Sequence, residues 1–530
     1  MTHNATIAEA TLAHLLGLGV REFLVCAGAR NVPLVASLLQ IEDKHDLQIR
    51  HHFDERTASF FAMGRAKKER SPVAVVTTSG TAVAELLPSA IEAHYSGVPL
   101  VLVTADRPPD FRGSGAPQAI EQLKLFGDYA TKQIDVTAVT DLSWVLSWDR
   151  RGPLHLNVCF EEPRSEDTVS KVTAVELPSP EDQVDSEDGV RLEAFVADPK
   201  SLVVVLGELP EHWRKPVEHF LGQLQVPFWA EGTSGLREVS ELVSFQVPLE
   251  KNIRELSPRK VLRIGGVPSL RFWRDLETHK EIEVLSISSQ PFSGLARPSR
   301  HLAVSEFPTP PELAHSGAIQ QGQVADSTLL NEVVFSAEPA DKAFREHPKS
   351  EPAMMRDLSE RISEKALVFL GNSLPIREWN LAASYVQPHP QVFASRGANG
   401  IDGQLATFLG MSVGEQESWG VFGDLTLLYD LNAPAILEQL PPAKRRIVVI
   451  NNGGGRIFSR LPSMAGLDPK EKKVTENRHE VSFSSWAAMW GLDYVSWRAG
   501  HPFPEGLPDQ VVLEVFPEED ATEEFWRAWK

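Results

Sequence analysis

Cysteine is scarce in this chain. Only Cys26 and Cys159 occur among 530 residues. Two thiols rule out a disulfide framework and a cysteine-built zinc cluster. Both lie in apolar stretches, FLVCAG and LHLNVCF, where a small buried strand residue is the ordinary role. A reducing, cytoplasmic location is the expectation. Basic charge is also in deficit, with 52 Lys and Arg against 72 Asp and Glu and a formal net charge of −20. Neutralising phosphates calls for a basic surface, so this balance argues against a nucleic-acid partner. It argues equally against attraction to an anionic membrane. Long apolar runs are missing, and none approaches the roughly 18 residues that span a bilayer, so no membrane insertion is expected. The first stretch, MTHNATIAEATLAHLLGLG, lacks the basic start of a secretion signal, and Glu9 interrupts its apolar residues. Ile7, Leu12, Leu15 and Leu16 recur there at helical spacing, which predicts an amphipathic helix with Asn4 as its cap.

What is present is the balance of a globular protein, 42% hydrophobic and 23% charged. The length suggests about three domains. In the first 160 residues the apolar strands EFLVCAG, QIRHHFD, PVAVVTT, VPLVLVTAD and GPLHLNVCF alternate with helices, one of them from Glu55 to Lys68. Buried strands alternating with helices mean a parallel sheet covered on both faces. Residues 163–190, rich in Pro, Ser and acidic residues, read as a linker. SLVVVLGEL, VPFWAEG, KVLRIGG and IEVLSIS follow as strands, and 306–345 read as a second linker. ALVFLGNS, PQVFASRG, WGVFGD, RRIVVINN and VVLEVF are strands of a third region. The expected domains are 1–180, 181–340 and 341–530, the pattern that duplication of one doubly wound fold would leave.

Ligands of open parallel sheets bind at the carboxyl ends of strands. In the third region one strand ends in Gly423-Asp424. Twenty-eight residues after Asp424, a second ends in Asn451-Asn452, followed by Gly453, Gly454 and Gly455. Asp424 and Asn452 supply two hard oxygens, and the glycine run lets a main-chain carbonyl, that of Gly454, approach as a third ligand of Mg²⁺. Ordinary turn chemistry would also explain these residues.

The Gly-Asp to Asn-Asn spacing resembles the diphosphate-binding motif of thiamine-diphosphate enzymes. That resemblance implies an acid glutamate after an early strand, a bulky aliphatic wedge under the cofactor and a turn beside the pyrimidine. Glu55 in FDERTASFFAMGRA, Ile401 in SRGANGIDG and Ser79, Gly80 and Thr81 in SGTA fit in order. Longer strings narrow the family: VAVVTTSGTAVAELLPSAIEAHYSGVPLVLVTADRPP, GNSLPIR, GDLTLLYDLN and NNGGGRIFSRLP. Together they resemble the 2-succinyl-5-enolpyruvyl-6-hydroxy-3-cyclohexene-1-carboxylate synthase family, closely in both outer regions and weakly in the middle.

The resemblance implies an α/β protein of three doubly wound parallel-sheet domains of the thiamine-diphosphate-enzyme type. The first would bind the aminopyrimidine, the middle one would be structural, and the last would hold the diphosphate and Mg²⁺ (Mn²⁺ is possible). It implies a transferase of menaquinone biosynthesis. This carboligase decarboxylates 2-oxoglutarate on thiamine diphosphate and adds the succinyl-semialdehyde carbanion to isochorismate. Glu55 would be catalytic. Ser79, Gly80, Thr81, Asn399, Ile401, Leu425 and Thr426 would hold the cofactor. Arg377, Arg396 and Ser373 would bind the oxo acid, and Arg30, Arg107, Gln118 and Arg271 the isochorismate. Ile457, Phe458 and Leu461 would line the pocket. Five arginines would then make a cationic pocket for two dianions within an acidic shell. A homodimer or homotetramer is implied, with Glu55 acting in trans. The chain departs from the family where Ala29 and Asn31 replace serines, where Pro117 replaces an asparagine, and where Arg271 replaces a lysine. All three departures fall on the isochorismate side, so a decarboxylase or carboligase with another acceptor stays open, as does an inactive cofactor-binding paralogue. His51 and His52 could be acid–base groups or simply end a strand.

Overall fold

The computed structural model describes residues 2–177, 186–308, 338–461, 464 and 466–529. Its strands form three parallel sheets. The first contains β1 (Glu22–Val25), β2 (Gln48–His51), β3 (Val73–Thr77), β4 (Leu100–Asp106), β5 (Lys132–Val136) and β6 (Leu154–Cys159), in the order β2-β1-β3-β4-β6-β5. The second contains β7 (Leu202–Leu206), β8 (Phe228–Ala230), β9 (Lys260–Ile264), β10 (Glu283–Ser288) and β11 (Arg300–Ala303), in the order β11-β10-β9-β7-β8. The third contains β12 (Leu367–Leu370), β13 (Val392–Phe393), β14 (Glu417–Gly423), β15 (Lys444–Ile450), β16 (Asp493–Arg498) and β17 (Gln510–Phe516), in the order β13-β12-β14-β15-β17-β16. Counted within each sheet, the first and third share the order 2-1-3-4-6-5. Among the described residues the second runs 2-1-3-4-5. Central strands such as β3, β4, β6 and β7 are buried along their whole length. Residues covered on both faces must be apolar throughout, which is why these strands read as continuous runs.

The described chain divides into two compact units. One gathers Met1–Glu181, Ser395–Gly414 and Thr426–Pro442 and holds the first sheet. The other gathers Asp182–Ala394, Glu415–Leu425 and Ala443–Lys530 and holds the second and third sheets. Two segments of the third sequence region therefore pack with the first sheet, and they carry Arg396, Asn399, Ile401 and Thr426. Their anchor is a helix pair, Glu55–Glu69 against Gln404–Met411. A Cβ on Gly64 would lie 2.2 Å from the Thr407 carbonyl oxygen, and one on Gly410 would lie 2.2 Å from that of Phe61. Only hydrogen at both positions lets the two backbones approach so closely.

The opening helix, His3–Gly17, buries Ile7, Leu12, Leu15 and Leu16. Its cap is Thr2, whose hydroxyl accepts the Ala5 N–H, and not Asn4. Asn4 is buried instead, accepting from the Glu161 N–H and donating to Asp167, so long-range bonds outcompete local capping. Residues 163–177 carry no regular element, yet Val169 and Val172 join the first core. Asp167 collects the Thr2, Asn4 and Arg164 donors, so this part of the expected linker is packed down. A helix begins at Ser186, inside the expected linker. Of the second expected linker, 309–337 lie outside the described residues, and a helix spans Glu338–Glu346.

Candidate active site

Glu55 opens its helix directly after β2, with Asp54 as the cap accepting the Thr57 N–H. The two neighbouring carboxyl groups are driven apart. Burial raises Glu55 above its ordinary value, and the Asp54 and Glu85 charges add to the rise. Burial also opposes ionisation of Asp54, but hydrogen bonds from Asn432 and Thr57 outweigh it and hold Asp54 low. An adjacent pair split this way has one member that holds its proton more tightly than usual and one that gives it up more readily. His52 is committed to structure. Its Nδ1 accepts the Asp54 N–H at 3.0 Å, and its Nε2 lies 3.2 Å from the Asn432 carbonyl oxygen. Burial lowers its pKa, so it stays neutral. Burial pushes both thiols up, which makes Cys26 and Cys159 inert.

The turn after β3 carries Ser79, Gly80 and Thr81. The Gly80 N–H donates to Gln122 Oε1 at 3.0 Å, and Gln122 Nε2 donates to Asn157 Oδ1 at 2.8 Å and to the Ala105 carbonyl oxygen at 3.2 Å. Asn157 Nδ2 continues the chain to Asp106 and Asp135, and Arg112 clamps Asp135 with two bonds of 2.7 Å. Asp106 in turn accepts the Arg107 N–H. One buried polar network therefore supports both the turn and the start of the Arg107 segment.

The loop after β13 is held by Glu92. Its carboxylate accepts the N–H groups of Gly397 and Ala398 and the Ser96 hydroxyl. That fixes the segment that carries Arg396, Asn399 and Ile401. Asp430 accepts the Gly403 and Leu405 N–H groups at the start of the next helix, and burial raises its pKa to about 7. Thr426 is buried in the same unit.

In the other unit, Asp424 follows β14 and is 2% exposed. Its Oδ2 accepts the N–H groups of Gly453 at 2.9 Å and Gly454 at 3.0 Å, and its Oδ1 accepts that of Leu425. His479 Nε2 lies 3.4 Å from Oδ2. Burial nonetheless raises Asp424, as expected where a counter-cation is wanted. Gly454 adopts φ +132°, and a Cβ there would lie 2.5 Å from the Glu476 carbonyl oxygen, so this position requires glycine. Asn452 donates its Nδ2 to Glu351, while its Oδ1 is buried and has no partner among the described residues. A buried carboxylate, an unsatisfied amide oxygen and a glycine carbonyl make an all-oxygen set suited to a hard cation such as Mg²⁺. Glu378, on the helix Leu374–Ala382, is fully buried. Burial and the adjacent Glu351 hold it well above the usual carboxyl range. Local sequence offered no sign of Glu351 or His479, because 101 residues separate Glu351 from Asn452.

The substrate candidates divide between the units. Arg30, after β1, is buried and donates to the Phe160 and Glu161 carbonyls and to Glu162. Asn31 beside it accepts the Gly28 N–H and donates to the Cys26 carbonyl, so its amide cannot replace the missing serine hydroxyl. Arg107 donates to the Pro117 carbonyl and stacks on Phe111. Arg377 donates to the Ser373 carbonyl. Ile457 and Phe458 lie on a short 3₁₀ helix, Arg456–Arg460, with Leu461 after it, all half-buried. Arg271 is largely exposed and pairs with Asp275 one turn on. Two candidates hold a left-handed backbone unusual for their type, Gln118 at φ 58° and Ser373 at 73°; Asn399 at 61° holds one that asparagine adopts readily. Such strain persists only where surroundings over-determine it, and it gathers at ligand sites.

Residues 5–125 match the family described as thiamine pyrophosphate enzyme, N-terminal TPP binding domain. That span includes Glu55 and the Ser79–Thr81 turn. A 2-succinyl-5-enolpyruvyl-6-hydroxy-3-cyclohexene-1-carboxylate synthase from Bdellovibrio bacteriovorus is 41% identical over 99% of this chain and 98% of its own. Proteins of the same name from Akkermansia muciniphila and Acaryochloris marina are 39% and 30% identical over 99% and 97% of this chain, covering 98% and 95% of their own lengths. With likeness running end to end and the first domain matching on its own, the chain belongs to the 2-succinyl-5-enolpyruvyl-6-hydroxy-3-cyclohexene-1-carboxylate synthase family of thiamine-diphosphate enzymes.

Proposed function

We propose that this protein uses thiamine diphosphate and Mg²⁺ to decarboxylate 2-oxoglutarate and join the four-carbon remainder to isochorismate. The observation that carries the reading is the oxygen set of Asp424, Asn452 and Gly454, with a raised, half-buried Glu55 elsewhere in the same chain. Bound, the cofactor supplies the carbon nucleophile and the electron sink. Glu55 holds and moves the proton at the aminopyrimidine ring, and burial, which raises its pKa, favours the proton-carrying form. Asp424, the Asn452 amide oxygen and the Gly454 carbonyl hold Mg²⁺ (Mn²⁺ would fit the same oxygens) against the diphosphate. Leu425 and Thr426, which follow Asp424 in the first turn of the helix Asp424–Tyr429, would hold that diphosphate. Ser79, Gly80, Thr81, Asn399 and Ile401 shape and wedge the cofactor. Arg377, Arg396 and Ser373 take the carboxylates of the oxo acid. Arg30, Arg107 and Gln118 are read as the groups that orient isochorismate, and the half-buried side chains of Ile457, Phe458 and Leu461 as apolar lining. The active unit is read as a homodimer or homotetramer with Glu55 acting in trans. Two buried free thiols favour a cytoplasmic setting, and among the described residues no helix is long and apolar enough to cross a membrane.

The test mixes protein, thiamine diphosphate, Mg²⁺, 2-oxoglutarate and isochorismate, and follows isochorismate absorbance together with CO₂. Loss of absorbance matched by CO₂ is expected. One observation favours a second reading, a 2-oxo acid decarboxylase or a carboligase with another acceptor. Arg271 is exposed and paired with Asp275, while Ala29 and Pro117 bring no hydroxyl or amide. Release of CO₂ at the full rate without isochorismate would select it.

A further inference from the structure

Asparagine is an ambiguous cation ligand. Its amide oxygen and amide nitrogen are nearly the same size, and a half-turn about the last side-chain bond exchanges a ligand for a repelling donor. Neighbouring groups decide which end faces the cation. At Asn452 one group dominates. Glu351 Oε1 and Oε2 lie 3.1 Å and 2.9 Å from Asn452 Nδ2. A carboxylate offers only acceptors, so it takes the nitrogen end and leaves Oδ1 on the opposite side. That Oδ1 is the buried, unpartnered oxygen.

Glu351 is itself held rigidly. It is 3% exposed and begins the helix Glu351–Ser359. Its N–H donates to the Thr522 hydroxyl at 2.9 Å, and Ser350 caps the same turn through the Ala353 N–H. Across the site, the Gly453 and Gly454 N–H groups anchor Asp424, which fixes the chain immediately after Asn452. The amide is thus restrained at its backbone by the Asp424 turn and at its tip by Glu351.

We propose that Glu351 is a positioning residue for cation binding, which takes the nitrogen end of Asn452 so that the oxygen end is presented to Mg²⁺. This rests on reading Asp424 and Asn452 as cation ligands. Groups placed behind a metal ligand are typically worth roughly tenfold to hundredfold in metal affinity.

The experiment measures Mg²⁺ affinity by titration calorimetry at saturating thiamine diphosphate, with thermal unfolding of each metal-free variant to confirm folding. Glu351→Ala should weaken Mg²⁺ by roughly ten- to a hundredfold, and Glu351→Gln by less, since its amide can still accept from Nδ2. The decisive variant is the double E351A/N452D. An aspartate at 452 has oxygen at both ends and needs no orienting partner, so the double variant should recover Mg²⁺ affinity to within about threefold of the parent. N452D alone should bind more weakly than the double variant, because its new carboxylate faces Glu351. Should E351A not fold, E351Q against E351Q/N452D makes the same comparison. Unchanged affinity in both Glu351 variants, or no recovery in a folded double variant, overturns the proposal. Asp424→Ala separates the two levels: undiminished affinity there overturns the cation reading, and lost affinity with an indifferent Glu351 overturns the positioning role alone.

Discussion

The first and third sheets are one design used twice, with opposite electrostatic tasks. Both run 2-1-3-4-6-5, and in both the candidate residues follow the same four strands. After the first strand come Arg30 in one sheet and Ser373 with Arg377 in the other. After the second come Glu55 in one and Arg396 with Ile401 in the other. After the third come the Ser79–Thr81 turn and the Asp424–Thr426 turn. After the fourth come Arg107 and Asn452 with Gly454. The order reverses beside the first strand, and that reversal opens a crevice at the strand ends in any such sheet. Position is therefore generic. What differs is the local dielectric and the donors. Glu55 is half-buried beside other carboxylates and is pushed toward holding a proton. Asp424 is nearly fully buried, but three backbone N–H groups point at it, the environment of an anion awaiting a cation.

The comparison is broken most sharply by removing one task and watching the other. Glu55→Gln should fold normally and keep its Mg²⁺ affinity, yet lose about 10²–10⁴-fold in CO₂ release, the usual worth of a positioned acid–base group. Near-parental turnover would end the assignment. Glu92→Ala deprives the Gly397 and Ala398 N–H groups of their acceptor, so the KM for 2-oxoglutarate should rise while Mg²⁺ affinity holds. The cost in stability should be about 1–3 kcal/mol by urea unfolding. A shift in Mg²⁺ affinity with KM unmoved would contradict it. Gly64→Ala drives a methyl into the Thr407 carbonyl and should cost roughly 1–3 kcal/mol. Its effect should be confined to the unit of the first sheet, which hydrogen exchange resolves.

The last comparison is in pH. Burial lowers His155 from 6.5 to about 3 in the first unit and His389 from 6.5 to about 4 in the second. A depressed histidine stays neutral when folded, while the unfolded chain takes up a proton below 6.5. Its stability is intact above pH 6.5 and is lost as pH falls through the window toward 4, at up to about 1.4 kcal/mol per pH unit for each histidine. Asp430, raised from 3.8 to about 7, has the opposite sign. Its contribution is full below 3.8 and fades as pH rises through 7. His155→Gln should remove up to one proton from the slope between pH 5 and 6.5, and an identical slope would contradict the account.

The strands legible in the sequence and those that were not differ for a physical reason. β5, β11 and β16 carried no readable apolar run, and each is the outermost strand at one edge of its sheet. An edge strand is half-solvated: β16 reads DYVSWR, with only Trp497 buried. Similarly, Asn4 has the type of a cap and Thr2 does the capping, because a residue buried against Asp167 answers to a distant partner. The candidate site was legible where chemistry is packed into a short string, as in Gly423-Asp424 and Asn451-Asn452. It was not legible at Glu92, Gln122 or Glu351, whose partners lie far along the chain.

Sequence alone determined the α/β class, the parallel sheets, the family and the residue types that could do the chemistry. Each of these is written in local periodicity or in contiguous motifs. Tertiary structure decided which of two adjacent carboxyl groups is raised and which is lowered, which end of Asn452 faces away from Glu351, and that the Arg396–Ile401 loop is carried by Glu92 of the first unit. Those outcomes depend on burial and on hydrogen-bond partners brought together from distant segments, and neither quantity exists until the chain has folded.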